Sequence, residues 1–125
     1  MSKRALVVDD TPLNRKLAVA MLQRNGWVCE EANDGKQALA KLQGEHGFDL
    51  VLLDIKMPCM SGEEVCRILR SDTNTTSLPL IAYTAHALEE EKARFLALGF
   101  NAVLIKPIDL ASLKDVLEQV ASLTS

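Results

Sequence analysis

The chain has 125 residues, 48% of them hydrophobic and 25% charged, which is the makeup of one globular domain. A domain of that length buries roughly two-thirds of its unfolded surface and needs no staples. Its net charge of -3, with adjacent basic residues only at Lys3-Arg4 and Arg15-Lys16, excludes the basic footprint of a nucleic-acid-binding domain. No apolar run approaches the roughly 20 residues of a membrane span, and acids follow the first apolar run too soon for a signal peptide. Cys29, Cys59 and Cys66 form no CxxC pair, so reduced, structural thiols in a cytoplasmic protein are expected; their spacing to His46 and His86 suggests no zinc site.

Four short runs, Ala5-Leu6-Val7-Val8, Leu50-Val51-Leu52-Leu53, Leu80-Ile81-Ala82-Tyr83 and Ala102-Val103-Leu104-Ile105, lack polar alternation and are too short for helices. They predict strands buried on both faces, as in a parallel sheet. Trp27 to Glu31 is a weaker fifth strand. After the first run, Thr11 and Pro12 predict the cap and first residue of a helix that runs to Asn25 and stops at Gly26. Its stripe of Leu13, Leu17 and Met21 either faces the sheet or lies open to a partner. Asn33-Asp34-Gly35 opens a second helix, with Ala38, Leu39 and Leu42 inward, ending near Gly44. Ser61-Gly62 opens a third, with Val65, Ile68 and Leu69 inward. A fourth, Leu88 to Leu98, carries a thin stripe of Leu88, Phe95, Leu96 and Leu98 and stops at Gly99. The fifth begins after Asp109, with Leu110, Leu113, Leu117 and Val120 at helical spacing.

Alternating strands and helices imply a parallel sheet covered on both faces, joined by right-handed crossovers. The fold class expected is α/β: a doubly wound, flavodoxin-like sheet of order 2-1-3-4-5 with five helices, forming a single domain over residues 1–125. Ligands of such sheets bind beyond the carboxyl ends of the strands. Those ends hold Asp9-Asp10, Asp54, Thr84 and Lys106-Pro107. Strands 1 and 3 are neighbours in this order, so three carboxylates converge. Like charges at short range destabilise one another, so a cation is required: Lys106, or a divalent metal with the oxygen preference of Mg2+. One carboxylate can then act as a nucleophile toward phosphorus, with the metal shielding the incoming charge. There is no GxxxxGK[ST] loop to cradle a nucleotide.

The pieces LVVDD (6–10), DLVLLDIKMPCMSG (49–62), IAYTA (81–85) and LIKP (104–107) resemble, in order and spacing, the receiver domain of two-component response regulators over essentially the whole chain. The resemblance implies that Asp54 is the phosphoacceptor. It implies that Asp9, Asp10, Asp54 and the backbone carbonyl of Lys56 hold Mg2+. Thr84 and Lys106 would bind phosphoryl oxygens, and the small Ala85 would leave room for them. The Lys106-Pro107 bond is expected to be cis. The family's usual aromatic residue, three positions before the lysine, is replaced by Val103, which puts the usual ring-swing readout in doubt. Lys56 and His86 flank the acceptor and are candidates for tuning the lifetime of the aspartyl phosphate.

The implied partner is a histidine kinase or a histidine phosphotransfer protein, docking over Leu13, Asn14, Leu17, Pro107 and Ile108. No nucleic acid or membrane is expected as partner, and the protein is expected to be a monomer or weak homodimer. The leading function is that of a signalling phosphoacceptor with no output domain after Ser125. The alternative is the receiver segment of a larger hybrid histidine kinase or effector enzyme, which the stretch DDTPLNRKL also suggests. An interaction module that works without phosphorylation fits the intact acidic set poorly, and a free-standing phosphatase lacks the DxD pattern after strand 1.

Overall fold

Strand and helix alternate five times in the computed structural model, which describes residues 3–44, 46–85 and 87–124. The elements are β1 (Lys3–Val8), α1 (Pro12–Arg24), β2 (Trp27–Ala32), α2 (Gly35–Lys41) and β3 (Leu50–Asp54), followed by α3 (Gly62–Ser71), β4 (Leu80–Thr84), α4 (Glu89–Leu98), β5 (Ala102–Ile105) and α5 (Leu110–Thr124). All strand pairs are parallel and the order is β2-β1-β3-β4-β5, as expected.

Every residue of β3 and β4 is buried, because helices cover both sides of the central strands. Alternate residues therefore feed two separate cores. Leu6, Val8, Val51, Leu53 and Ala82 meet Ala38, Val65, Leu69 and Phe95 of α2, α3 and α4. Val7, Leu50, Leu52, Ile81 and Tyr83 meet Ala18, Leu22, Leu113, Val116 and Val120 of α1 and α5. No helix among the described residues is long and apolar enough to cross a membrane.

Several helix starts follow the sequence closely. Asp34 accepts from the Gln37 N–H, Ser61 from the Glu64 N–H, and Asp109 from the Ser112 N–H. Thr11 precedes α1 but makes no side-chain cap; its N–H instead donates to Asp9 Oδ1 at 2.8 Å. The Lys106-Pro107 peptide is cis.

The helix faces resolve one open expectation, on α1, and depart from expectation in three places. On α1 the buried residues are Ala18 and Leu22; Leu13 is 78% exposed and Leu17 is exposed, while Met21 packs partly against the core, so only the first two residues of the stripe lie open. On α3 Cys66 takes the inward position and Ile68 turns outward. On α4 only Phe95 is buried; Leu88 and Leu96 are exposed and Leu98 packs partly against the core. On α5 Val116 is buried and Leu117 only partly packed. In each case a helix lying on a twisted sheet seats a narrower stripe than its apolar residues allow. α2 also ends at Lys41 rather than near Gly44.

At the amino edge of the sheet the Arg70 guanidinium ties two connections together. It donates to the carbonyls of Thr75, Thr76 and Leu78 in the α3–β4 loop. It also donates twice to the Gly99 carbonyl, at 2.9 and 2.7 Å, and to Asn101 Oδ1.

Candidate functional site

The strand order brings the residue after β1 beside the end of β3. The carboxylate oxygens of Asp9, Asp10 and Asp54 lie within 4.8 Å of one another, the one such group of metal-ligating side chains among the described residues. Asp9 and Asp54 are buried and Asp10 is exposed. The Asp9 N–H donates to the Ala32 carbonyl, which extends the β1–β2 ladder one residue past β1. Thr11 occupies Asp9 Oδ1, and Oδ2 is left facing the cluster.

Lys106 is set by its own N–H, which donates to the Thr84 carbonyl at 2.7 Å. Its Nζ lies 3.3 Å from Asp9 Oδ2, 3.2 Å from Asp54 Oδ1 and 4.7 Å from the centre of the Tyr83 ring. Asp9 Oδ2 is buried and, although close enough to Lys106 to form an ion pair, makes no hydrogen bond. A buried carboxylate oxygen without a hydrogen bond is costly, and three acids face one ammonium. The donor set is all oxygen. On both counts the residues fit a hard divalent cation such as Mg2+.

Burial pushes the Asp54 carboxyl up to about 6; the Lys106 ammonium opposes that rise and Asp9 reinforces it. Burial thus makes the ionised Asp54 side chain, the form that can act as a nucleophile, expensive to keep without a further cation. Asp54, Lys56, Thr84, Ala85 and Lys106 line a cleft of about 240 Å³ that opens to solvent beside Asp10. A larger cleft of about 430 Å³, lined by Trp27, Asp49, Pro79, Leu117 and Glu118 at the other end of the sheet, holds no group of three converging acids among the described residues.

The chain between β3 and α3 folds back tightly over Asp54. Gly62 donates to the Ile55 carbonyl at 2.9 Å, and a Cβ at position 62 would lie 2.2 Å from the Asp54 carbonyl oxygen. Only glycine fits that approach. Cys59, inside this turn, is exposed and adopts a positive φ of 69°.

The structure thus brings together Asp9, Asp10, Asp54, Thr84, Ala85 and Lys106, with Lys56 exposed at the rim. His86 lies outside the described residues. Of the expected docking residues, Leu13 and Leu17 are exposed on α1, Asn14 is half-buried and Pro107 is exposed. Ile108 is a correction: it is 4% exposed, because the chain after Pro107 turns it into the core beside Leu104 and Leu113. Val103 is half-buried against the α4 side of the sheet. All three cysteines are free, and burial pushes the Cys29 thiol up to about 11.

Two residues at the site escaped sequence reasoning. The Tyr83 ring, opposite Asp54 in the β3–β4 register, carries the Lys106 ammonium on its face. Arg15, one turn into α1, donates from Nη1 to the Asp9 carbonyl at 2.9 Å and from Nε to Glu31 at 2.8 Å. A basic residue one helical turn beyond the paired acids was the available clue to Arg15; nothing marked Tyr83 as more than core.

An acidic cleft answered by a single lysine, at the carboxyl edge of a 2-1-3-4-5 parallel sheet, defines the CheY-like α/β class. Within that class the chain belongs to the response regulator receiver domain family of two-component signalling, whose sequence model matches residues 5–118. Sensor histidine kinase RcsC of Escherichia coli (strain K12) is 44% identical over 112 residues, which cover 90% of this chain and 12% of that protein. The chain thus spans about an eighth of the length of that relative. The chemotaxis protein CheY4 of Vibrio cholerae superposes with a TM-score of 0.88 at 32% identity, covering 96% of this chain and 99% of that one. The receiver domain of sensor histidine kinase PA1611 from Pseudomonas aeruginosa PAO1, solved with a magnesium ion coordinated in its active site cleft, gives 0.83 at 29% identity, covering 97% and 99%.

Proposed function

We propose that the protein accepts a phosphoryl group on Asp54 from a phosphohistidine of a histidine kinase or histidine phosphotransfer protein, in a Mg2+-dependent reaction, and loses it slowly to water. The observation that carries this reading is the buried Asp54 carboxylate, 3.2 Å from Lys106 and clustered with Asp9 and Asp10 at the mouth of an open cleft. Asp9, Asp10, Asp54 and the carbonyl of Lys56 would hold the Mg2+, which neutralises charge on the incoming phosphoryl group.

The side chains divide the remaining work. An Asp54 oxygen attacks phosphorus; the P–N bond of the donor breaks, and the imidazole leaves with the electron pair and takes a proton from solvent. Lys106 then pairs with a phosphoryl oxygen in place of the carboxylate oxygen it now contacts, and Thr84 binds another. Ala85 leaves the cleft open on that side. In hydrolysis water attacks phosphorus from the face opposite Asp54, and Lys56, exposed at the rim of the cleft, would set how easily it arrives; His86 remains a tuning candidate by sequence alone. The donor would approach over Leu13, Asn14, Leu17 and Pro107, which border the cleft's end of the molecule.

Incubation with acetyl phosphate and Mg2+, followed by intact-mass measurement, tests the assignment: one phosphoryl group should add to the wild type and none to Asp54→Asn. Full labelling of that variant would overturn it. Asn14→Asp should slow transfer from a donor protein and spare labelling by acetyl phosphate. Equal loss with both donors would refute the docking face.

A second reading, that the chain acts as the receiver segment of a hybrid kinase, is favoured by the match to about an eighth of sensor histidine kinase RcsC. The chemistry at Asp54 is the same in both readings. The length of the native transcript distinguishes them.

A further inference from the structure

We propose that Tyr83 is a positioning residue for Lys106, its ring face holding the ammonium in the cleft whether or not Asp54 carries a phosphoryl group. The inference rests on the assignment of Asp54 as acceptor. Its basis is the Lys106 Nζ seated 4.7 Å from the Tyr83 ring centre, inside the range in which a cation is drawn to the negative face of an aromatic ring. The same Nζ lies 3.3 Å from Asp9 Oδ2 and 3.2 Å from Asp54 Oδ1, so ring and carboxylates enclose it from different sides.

The three attractions behave differently during turnover. When Asp54 is phosphorylated to the acyl phosphate, its charge moves outward onto the phosphoryl oxygens, and the contact between Lys106 and the Asp54 carboxylate is lost. If Mg2+ draws on the Asp9 carboxylate, that partner weakens too. The ring face is unaffected by either change. A lysine side chain is long and flexible, and fixing it is entropically unfavourable. A partner that does not alter through the cycle keeps the ammonium near the place where phosphoryl oxygens will appear.

The surroundings support this role. Tyr83 is buried at the end of β4, opposite Asp54 in the β3–β4 register, so its ring is held by the sheet rather than by a loop. Burial, with Asp9 and Asp54 nearby, pushes the phenol up to about 12, so it stays neutral and offers no competing anion. A purely core role would require only bulk at this position. The ring-face role requires an aromatic ring, and phenylalanine would serve as well as tyrosine.

The test uses the full chain as wild type, Tyr83→Phe, Tyr83→Leu and Tyr83→Met, the last replacing bulk without a ring should the leucine variant fail to fold. In the metal-free proteins, NMR should show the Lys106 ε-methylene protons shifted upfield by the ring, and rigid, in wild type and Tyr83→Phe, but mobile in Tyr83→Leu or Tyr83→Met. With acetyl phosphate and Mg2+, Tyr83→Phe should be labelled within twofold of the wild-type rate, and the ringless variants about three- to tenfold more slowly. Ordinary lysine shifts in the wild type, or a folded ringless variant with rigid Lys106 and the wild-type rate, would overturn the inference. If acetyl phosphate labels no wild-type protein, the functional reading falls instead, and Lys106 mobility alone decides the role of Tyr83.

Discussion

Asp54→Asn removes one charge from a cleft that holds three carboxylates against a single ammonium, and it should make the metal-free protein more stable at neutral pH. Asn keeps the shape of a neutral acid. In the wild type, burial raises the Asp54 carboxyl from 3.8 to about 6, a gap worth about 3 kcal/mol at ~1.4 kcal/mol per pH unit. Because the folded value is the higher one, the stability this group contributes is present below pH 4, where folded and unfolded chains are both protonated. It is lost as pH rises toward 6. The variant gives up the ion pair with Lys106, which offsets part of the gain, so a net increase of about 1–2 kcal/mol at pH 7 is expected, raising Tm by about 3–10 °C. The assay is urea unfolding of both proteins from pH 3.5 to 7.5 in EDTA, read as the difference between them so that other carboxylates cancel. The difference should be smallest near pH 4, grow to about pH 6 and then level. Added Mg2+ should narrow it by stabilising the wild type more. A difference that is constant with pH, or that shrinks between pH 4 and 6, would refute the account of Asp54 as a buried carboxylate held at a cost.

Cys59→Gly should stabilise the protein by about 0.5–1 kcal/mol in urea unfolding, because Cys59 occupies a positive φ that glycine adopts without strain. Ile108→Glu should lower stability by about 3 kcal/mol or more, as an unpaired charge in the α5 core, whereas Leu13→Glu on open α1 should change it by less than about 0.5 kcal/mol. Arg15→Ala should weaken Mg2+ binding about tenfold by calorimetry through loss of its bond to the Asp9 carbonyl, while Lys16→Ala, at an exposed ion pair with Glu31, should stay within about twofold.

What the sequence made legible divides along physical lines. β3 and β4 are covered on both faces, so their apolar runs stand out unbroken. β2 lies at the sheet edge, where Val28, Glu30 and Glu31 meet solvent or surface ions, and its run is correspondingly weak. Asp9, Asp10, Asp54, Thr84 and Lys106 could be placed from strand ends alone, because backbone topology fixes where those ends lie. Tyr83 could not, since its role depends on which way a side chain leans across a neighbouring strand, and Arg15 was marked only by its place one turn beyond the paired acids. The same limit explains Ile68 and Cys66: both fit an apolar stripe on α3, and only the angle of that helix on the sheet decides between them.

Arg70 makes α4 a lever. Its bonds to the Gly99 carbonyl and to the α3–β4 loop, with Phe95 buried nearby, fix a fulcrum at the helix's carboxyl end. At the other end, beyond Thr84, Ala87 packs partly against the core, Leu88 is exposed, and the Leu88 N–H is satisfied by Glu91 within the same turn. Over ten residues the arm is about 15 Å long. A displacement of about 2 Å at Leu88 would therefore tilt the helix by about 8° while Gly99 stayed in place. Such a tilt would show at the surface as an angle, largest across Leu88 to Glu91 and nearly absent at Leu98.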